Sequence, residues 1–453
     1  MELVDLESIK TTVDSSSARE EAVAARQLLE KQRRADILKN LHVPTDDKDV
    51  RAKLRSLNEP ITLFAEDKAD RRTRLGQLMV DEFDREGLRE EDSDSDVSME
   101  DDEEFFTPGS EELLAARRKI TNDSIVRARE RLAKQKMQSE MSLVETVNLR
   151  REKMAPIEQY QLLGSQFVST RPAGAVAFGS DSILAASSWN GEIKLMDVPN
   201  LNTKAVLRGH VDKVSALKWA RNILLSGCGQ GKLLFWDSST GSEEQTAFRT
   251  VSDAHKGRIA GLDVHPTGQW AATASYDYTW ALWDVESGTK LLSQEGHSKG
   301  VHSVAFHPDG ALVASAGLDA VGRVWDMRSG RSIQTLEGHI REIFSLGWSS
   351  NGFYLASGSA DGSVKIWDLR AQKCTHTIPA HTKIVSSVQF DESGSFLAST
   401  GYDGDFNIWN ADSWTLAKRW KTSDRIMGMD LGPGNEYFAT CGWDRTVKLW
   451  CKE

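Results

Sequence analysis

The sequence predicts an all-β fold of seven repeated units of short antiparallel strands, preceded by an α-helical, partly disordered extension. Three observations predict it. A Trp-Asp pair or its equivalent recurs at Met196-Asp197, Trp236-Asp237, Trp283-Asp284, Trp325-Asp326, Trp367-Asp368, Trp409-Asn410 and Trp450-Cys451, at spacings of 40, 47, 42, 42, 42 and 41. A histidine leads five of the units, at His210, His255, His297, His339 and His381, and units one and seven lack it. All 14 Trp lie at or beyond Trp189, so the front third has a different composition from the rest.

Each unit follows one grammar. In GHIREIFSLGWSSNGFYLASGSADGSVKIWDLR an alternating apolar run is followed by a Ser-Asn-Gly turn, a second run, an Asp-Gly turn, and a third run ending in Trp-Asp. Alternation broken by such turns reads as strands, and self-similarity at this period reads as a repeat architecture. From about residue 160 to the end the pattern resembles the WD40 family, and that resemblance implies a seven-bladed β-propeller. The chain ends just after Trp450, which closes a third strand, so the seventh blade lacks its outer strand. The extended apolar piece QLLGSQFVST, Gln161 to Thr170, is expected to supply it and so to remove exposed sheet edges. Trimming the C-terminus by a few residues is expected to be damaging.

In unit five His339, Ser357, Asp361 and Trp367 have the look of a hydrolase triad with an added Trp. The same set recurs as His255/Thr273/Asp277/Trp283, His297/Ser315/Asp319/Trp325 and His381/Ser399/Asp403/Trp409. A nucleophile site occurs once, so a set repeated in four units reads as a structural hydrogen-bond chain within each blade. GCGQGK, Gly227 to Lys232, lacks the spacing and the following Ser or Thr of a phosphate loop, and it falls where other units have their turn Asp. No metal-ligand spacing or cofactor box is present, so the expectation is no enzyme, no cofactor and no metal. The four cysteines show no CxxC pair, which fits a reducing compartment. The start MELVDLESIK lacks the features of a secretory signal, and no window approaches eighteen apolar residues. A soluble intracellular protein is expected.

In the front third, residues 17 to 41 lack Gly and Pro and favour a helix with a thin apolar face. Residues 43 to 79 predict a helix capped by Thr45, with Val50, Leu54 and Leu57 on one face and an end before Pro60, then extended Ile61 to Phe64, then a second helix apolar at Leu75, Leu78 and Met79. So small a unit cannot cover its own apolar set, so Leu54, Leu57, Ile61, Phe64 and Leu75 are expected to bind a partner. The string LRSLNEPITLFAEDKADRRTRL resembles the splicing-factor motif of the pre-mRNA-processing factor 4 family, the WD40 protein of the U4/U6 small nuclear ribonucleoprotein. The order of parts matches that family, and so do GLDAVGRVWDMRSGR and CGWDRTVKLW. The parts are a helical extension (1–42), the splicing-factor motif (43–80), an acidic disordered linker (81–108), a basic helical segment (109–155) and the propeller (156–453).

The formal charge is -11, and residues 81 to 104 hold 14 Asp or Glu against two Arg. That tract is expected to be disordered, with Ser93, Ser98 and Thr107 open to phosphorylation. Arg117 to Lys136 carries eight Lys or Arg against Asp123 and Glu130. Arg127, Arg129, Arg131 and Lys134 on this rod are candidates for RNA phosphate contact, the alternatives being a solvated face or a partner for the acidic tract.

The residue before each turn Asp is aromatic at Trp189, Tyr276, Tyr402 and Trp443. Units six, seven and one are neighbours once the ring closes, so Tyr402, Trp443 and Trp189 are expected to form a patch where a protein anchor or an unstacked base could dock. The family resemblance implies a nuclear, non-enzymatic scaffold of the U4/U6 and U4/U6.U5 particles. Its implied partners are a pre-mRNA-processing factor 3-type protein, a cyclophilin-type prolyl isomerase and U4/U6 RNA. A rival reading comes from WDMR at Trp325 to Arg328 and WDLR at Trp367 to Arg370, which resemble the adaptor-binding box of substrate receptors of cullin ubiquitin ligases.

Overall fold

The computed structural model describes residues 44, 46–56, 67–79, 110–179, 182–237 and 244–452. The chain divides into two compact units, Met1–Asp101 and Asp102–Glu453, and each is taken by itself.

The described part of the first unit is a pair of helices. Helix α1, Asp47–Ser56, has Asp47 and Asp49 in its first turn and Lys53 and Arg55 in its last, both favourable to the helix dipole. Helix α2 runs over 68–79. Val50, Leu54 and Leu75 are buried between them with Leu78 and Met79 alongside. Arg71 reaches back to Asp47 at 2.6 Å, tying the second helix to the start of the first. Thr45, the expected cap, Leu57, Ile61 and Phe64 lie outside the described residues, as do the helix at 17–41 and Ser93, Ser98 and Thr107.

The second unit begins with α3, Glu111–Glu140, whose Ser110 cap accepts the Leu113 N–H. Helix α4, Leu143–Met154, opens on a Ser142/Glu145 capping box. The propeller follows as seven sheets, six of them four-stranded and one with a fifth short strand, Glu244–Gln245, added at its edge. The ring closes as the sequence suggests. Strand Tyr160–Phe167 pairs antiparallel with Thr446–Lys452, from Tyr160↔Lys452 to Phe167↔Thr446, with a one-residue shift of register between Leu162 and Gly164. Tyr160 fixes the junction: its ring stacks on Phe438 at 4.4 Å, and its carbonyl accepts the Trp420 indole N–H at 3.2 Å.

Side chains on the innermost strands pin neighbouring blades together around the central channel. The Asp263 carboxylate accepts the Phe306 N–H at 2.7 Å, the Ser345 hydroxyl accepts that of Val388 at 2.8 Å, and the Asp430 carboxylate accepts that of Phe178 at 2.8 Å. The channel, about 370 Å³, is charged on one side only, where Lys218 lies 3.5 Å from Asp430. The Asp430 charge holds the Lys218 ammonium above its ordinary pKa despite burial, while burial pushes the Asp263 carboxyl up.

Antiparallel strands place the first-to-second and third-to-fourth turns on one face of the ring. The second-to-third loops and the blade-to-blade connections lie on the other. The first kind of turn depends on glycine: Gly310, at φ 85°, has no room for a Cβ, which would sit 2.1 Å from His265 Nε2.

Candidate partner-binding surfaces

The repeated His/Ser/Asp/Trp sets close as one hydrogen-bond chain per blade. In blade five His339 Nδ1 lies 2.9 Å from Asp361 and Nε2 lies 2.7 Å from the Ser357 hydroxyl. The same hydroxyl accepts the Trp367 indole N–H at 2.8 Å. Blades three, four and six repeat this. The hydroxyl is thus committed on two sides, and His339, Ser357 and Trp367 are buried. Burial opposes ionisation of Asp361, but hydrogen bonds from Ser363 and His339 outweigh it and hold the carboxyl at about 2.

The chain is edited where blades depart from the pattern. In blade two His210 bonds Ser226 at 2.7 Å, and Ser226 accepts from Trp236 at 2.7 Å. Gln230 stands at the turn-Asp position, and the buried His210 Nδ1 has no hydrogen-bond partner among the described residues. Burial, with Lys232 nearby, lowers the His210 pKa to about 4. In blade one the corresponding positions are Val168, Ala186 and Met196, all buried in one apolar cluster. The polar chain there has been replaced as a whole.

Along the second-to-third loops, one backbone bond repeats. The residue before the turn donates its N–H to the strand opposite: Tyr276 to Arg258 O, Tyr402 to Ile384 O and Trp443 to Arg425 O, each at 2.9 Å. This puts the aromatic residues at equivalent points around the channel mouth. Trp189 and Trp443 meet edge to face at 5.1 Å between ring centroids. Lys213 lies 5.6 Å over Trp189, Arg425 5.7 Å over Trp443 and Arg258 5.7 Å over Tyr276. Burial raises the Tyr402 hydroxyl pKa, and Arg258 and Arg425 oppose the rise. Trp443 is 39% exposed, whereas Trp189 and Tyr402 are half-buried. The aromatic positions are legible in the sequence. The cations over them are not, because their pairing depends on blade adjacency.

Helix α3 lies on the opposite face. Leu113, Ala116 and Ile120 enter a cluster with Trp270, Leu291 and Met327. Arg131 grips Asp309, Nη2–Oδ2 2.7 Å, and donates to the Asn351 carbonyl at 2.8 Å. Arg117 is buried there, with its pKa lowered by burial against the pull of Asp326. This corrects the expectation for the basic rod: Arg131 is occupied by the propeller's own carboxylate, and Arg127 is half-buried with Nη1 enclosed. Arg129 and Lys134 are exposed. A second correction concerns Leu54 and Leu75. Both are at 0% exposure, so they form the core of the helix pair instead of an open anchor set. Two helices bury more of this small set than its size suggests.

The Arg of each WDxR tetrapeptide folds back on its own Asp, Arg328 on Asp326 at 3.1 Å and Arg370 on Asp368 at 3.1 Å. Arg370 also stacks 4.1 Å over Phe353. These contacts are local turn packing.

The family model described as pre-mRNA processing factor 4 (PRP4) like matches residues 50–78, the span of α1 and α2. The WD domain, G-beta repeat model matches five times, over 247–284, 288–326, 330–368, 372–410 and 414–451. The U4/U6 small nuclear ribonucleoprotein PRP4 of Saccharomyces cerevisiae is 36% identical over 287 residues, 58% of this chain and 60% of the relative. The chain is thus similar to the pre-mRNA processing factor 4-like family over residues 50–78 and to the WD repeat over its last five blades. A WD repeat-containing protein of Schizosaccharomyces pombe is 40% identical over 257 residues, 54% of each chain. The U4/U6 small nuclear ribonucleoprotein Prp4 of Homo sapiens is 36% identical over 184 residues, 40% of this chain and 35% of the relative. The chain thus spans from about a third to three-fifths of the length of these relatives. The chain escapes the repeat model over its first two units, the same two whose Val168/Ala186/Met196 and Gln230 depart from the hydrogen-bond pattern.

Proposed function

We propose that this chain is a non-enzymatic nuclear scaffold of the U4/U6 and U4/U6.U5 small nuclear ribonucleoproteins, acting in spliceosome assembly. The observation that carries the reading is the splicing-factor motif at 50–78 joined in one chain to a propeller whose triad-like residues are committed to structural bonds. The names of the yeast and human relatives support the particle. A pre-mRNA-processing factor 3-type protein and a cyclophilin-type prolyl isomerase are the proposed partners. The loop face around Trp189, Tyr402 and Trp443 is the proposed docking surface, because an exposed Trp443 ring packed on Trp189 beneath cations suits both protein anchors and unstacked bases. Leu57, Ile61 and Phe64 of the motif remain proposed partner anchors, and Arg129 and Lys134 remain proposed RNA contacts. The test is purification of the tagged chain from nuclear extract, probed for U4 and U6 RNA and for cullin subunits. Recovery of both RNAs without cullin is expected, and recovery of cullin without either RNA would overturn the proposal in favour of the ubiquitin-ligase receptor.

A further inference from the structure

Helix α3 gives one side to the propeller and should be polar elsewhere, yet Leu114 is 52% exposed, Ile125 44% and Leu132 51%. At about 100° per residue, these three fall within about 20° of a single line along the helix. The line is about a third of a turn away from the docked side that carries Leu113, Ile120 and Arg131. Within about 60° of the line, the charges on its solvent side are Arg118, Arg129 and Lys136 against one carboxylate, Glu111, in the first turn, with Arg117 turned to the propeller. Arg118, Arg129 and Lys136 form no ion pair among the described residues, and all three are exposed. The helix has no turn of its own left to cover the stripe, and separations of 11 and 7 residues are those of a helix that continues a packed seam.

We infer that this stripe is the seat of a second helix supplied by a partner protein, amphipathic and acidic along its flanks. Leu114, Ile125 and Leu132 would interlock with its apolar seam, and Arg118, Arg129 and Lys136 would face its carboxylates. Two copies of this chain would oppose three cations with three cations, so charge disfavours self-pairing. The inference is independent of the loop face and concerns the other side of the ring.

A suitable probe is a synthetic peptide of four heptads with Leu at the seam and Glu at both flanks, unfolded alone at neutral pH because its own charges repel. The full chain is expected to bind it with about micromolar Kd, with gain of peptide helicity, and to release it as salt rises. Ile125→Glu with Leu132→Glu is expected to weaken binding at least about tenfold while leaving the propeller's Tm unchanged, because both side chains are exposed. Arg118→Glu with Arg129→Glu and Lys136→Glu is expected to lose the acidic peptide and bind its Lys-flanked counterpart. Failure to bind the acidic peptide, or equal binding by the Ile125→Glu, Leu132→Glu variant, would overturn the inference. So would dimerisation of the chain, or binding of an RNA oligomer, that the same two substitutions abolish.

Discussion

Arg131 of α3 and Asp309 of a propeller turn, 178 residues apart, form a two-pronged ion pair with Nε–Oδ1 3.0 Å and Nη2–Oδ2 2.7 Å. The pair converts an apparently free basic helix into a strap on the ring. Arg131→Gln is expected to cost about 2 kcal/mol of stability, because the mostly buried Asp309 carboxylate loses its cation. It is also expected to open the 130s to limited proteolysis, and an unchanged digestion pattern would show that α3 is held by its apolar contacts alone.

The hydrogen-bond chains predict opposite effects of one hydroxyl in two blades. Ser357→Ala is expected to destabilise by about 2 to 4 kcal/mol, since the Trp367 N–H and His339 Nε2 both lose their partner in a buried site. Ala186→Ser in blade one should also destabilise, because Val168 and Met196 offer the new hydroxyl no bond. Denaturant titration of both variants checks this, and a stabilised Ala186→Ser variant would contradict it.

The number of blades, their order and the closing strand are legible in the sequence because each repeat carries its own turn residues and Trp. The aromatic loop positions are legible for the same reason. What lies beyond the sequence is pairing between parts far apart in it. The basic residues of α3 look alike in a row, and only the position of Asp309 and Asp326 separates Arg117 and Arg131, turned inward, from Arg129. Leu54 and Leu75 likewise read as an open face until the second helix is seen to lie on the first.

Acid should weaken the propeller through its buried histidines. Burial lowers His210, His265 and His302 to about 4, below the unfolded value of about 6.5, so the unfolded chain takes up protons first. Stability is therefore expected to be full above about pH 6.5 and to fall steadily toward pH 4. Asp361 and Asp403, held at about 2, lose their contribution only below about pH 4 and do not share this window. A urea midpoint at pH 5 equal to or above that at pH 7.5 would contradict the assignment.

Closure of the ring rests on Tyr160. Tyr160→Ala is expected to cost about 3 to 5 kcal/mol and Tyr160→Phe about 1, separating the stacking on Phe438 from the hydroxyl bond to the Asn435 carbonyl. Thermal unfolding of the two variants measures the difference, and equal losses would place the closure elsewhere.

The proposed scaffold role is tested most directly by the amounts of U4 and U6 RNA recovered with the tagged chain and with its Trp189→Ala, Trp443→Ala variant, each purified from nuclear extract. The wild-type chain is expected to recover both RNAs, and the variant at least about tenfold less at comparable propeller Tm, since exposed Trp443 and half-buried Trp189 pack together at the centre of the loop face. Equal recovery by the variant would remove the loop face from the account, and absence of both RNAs from the wild-type material would contradict the scaffold role itself.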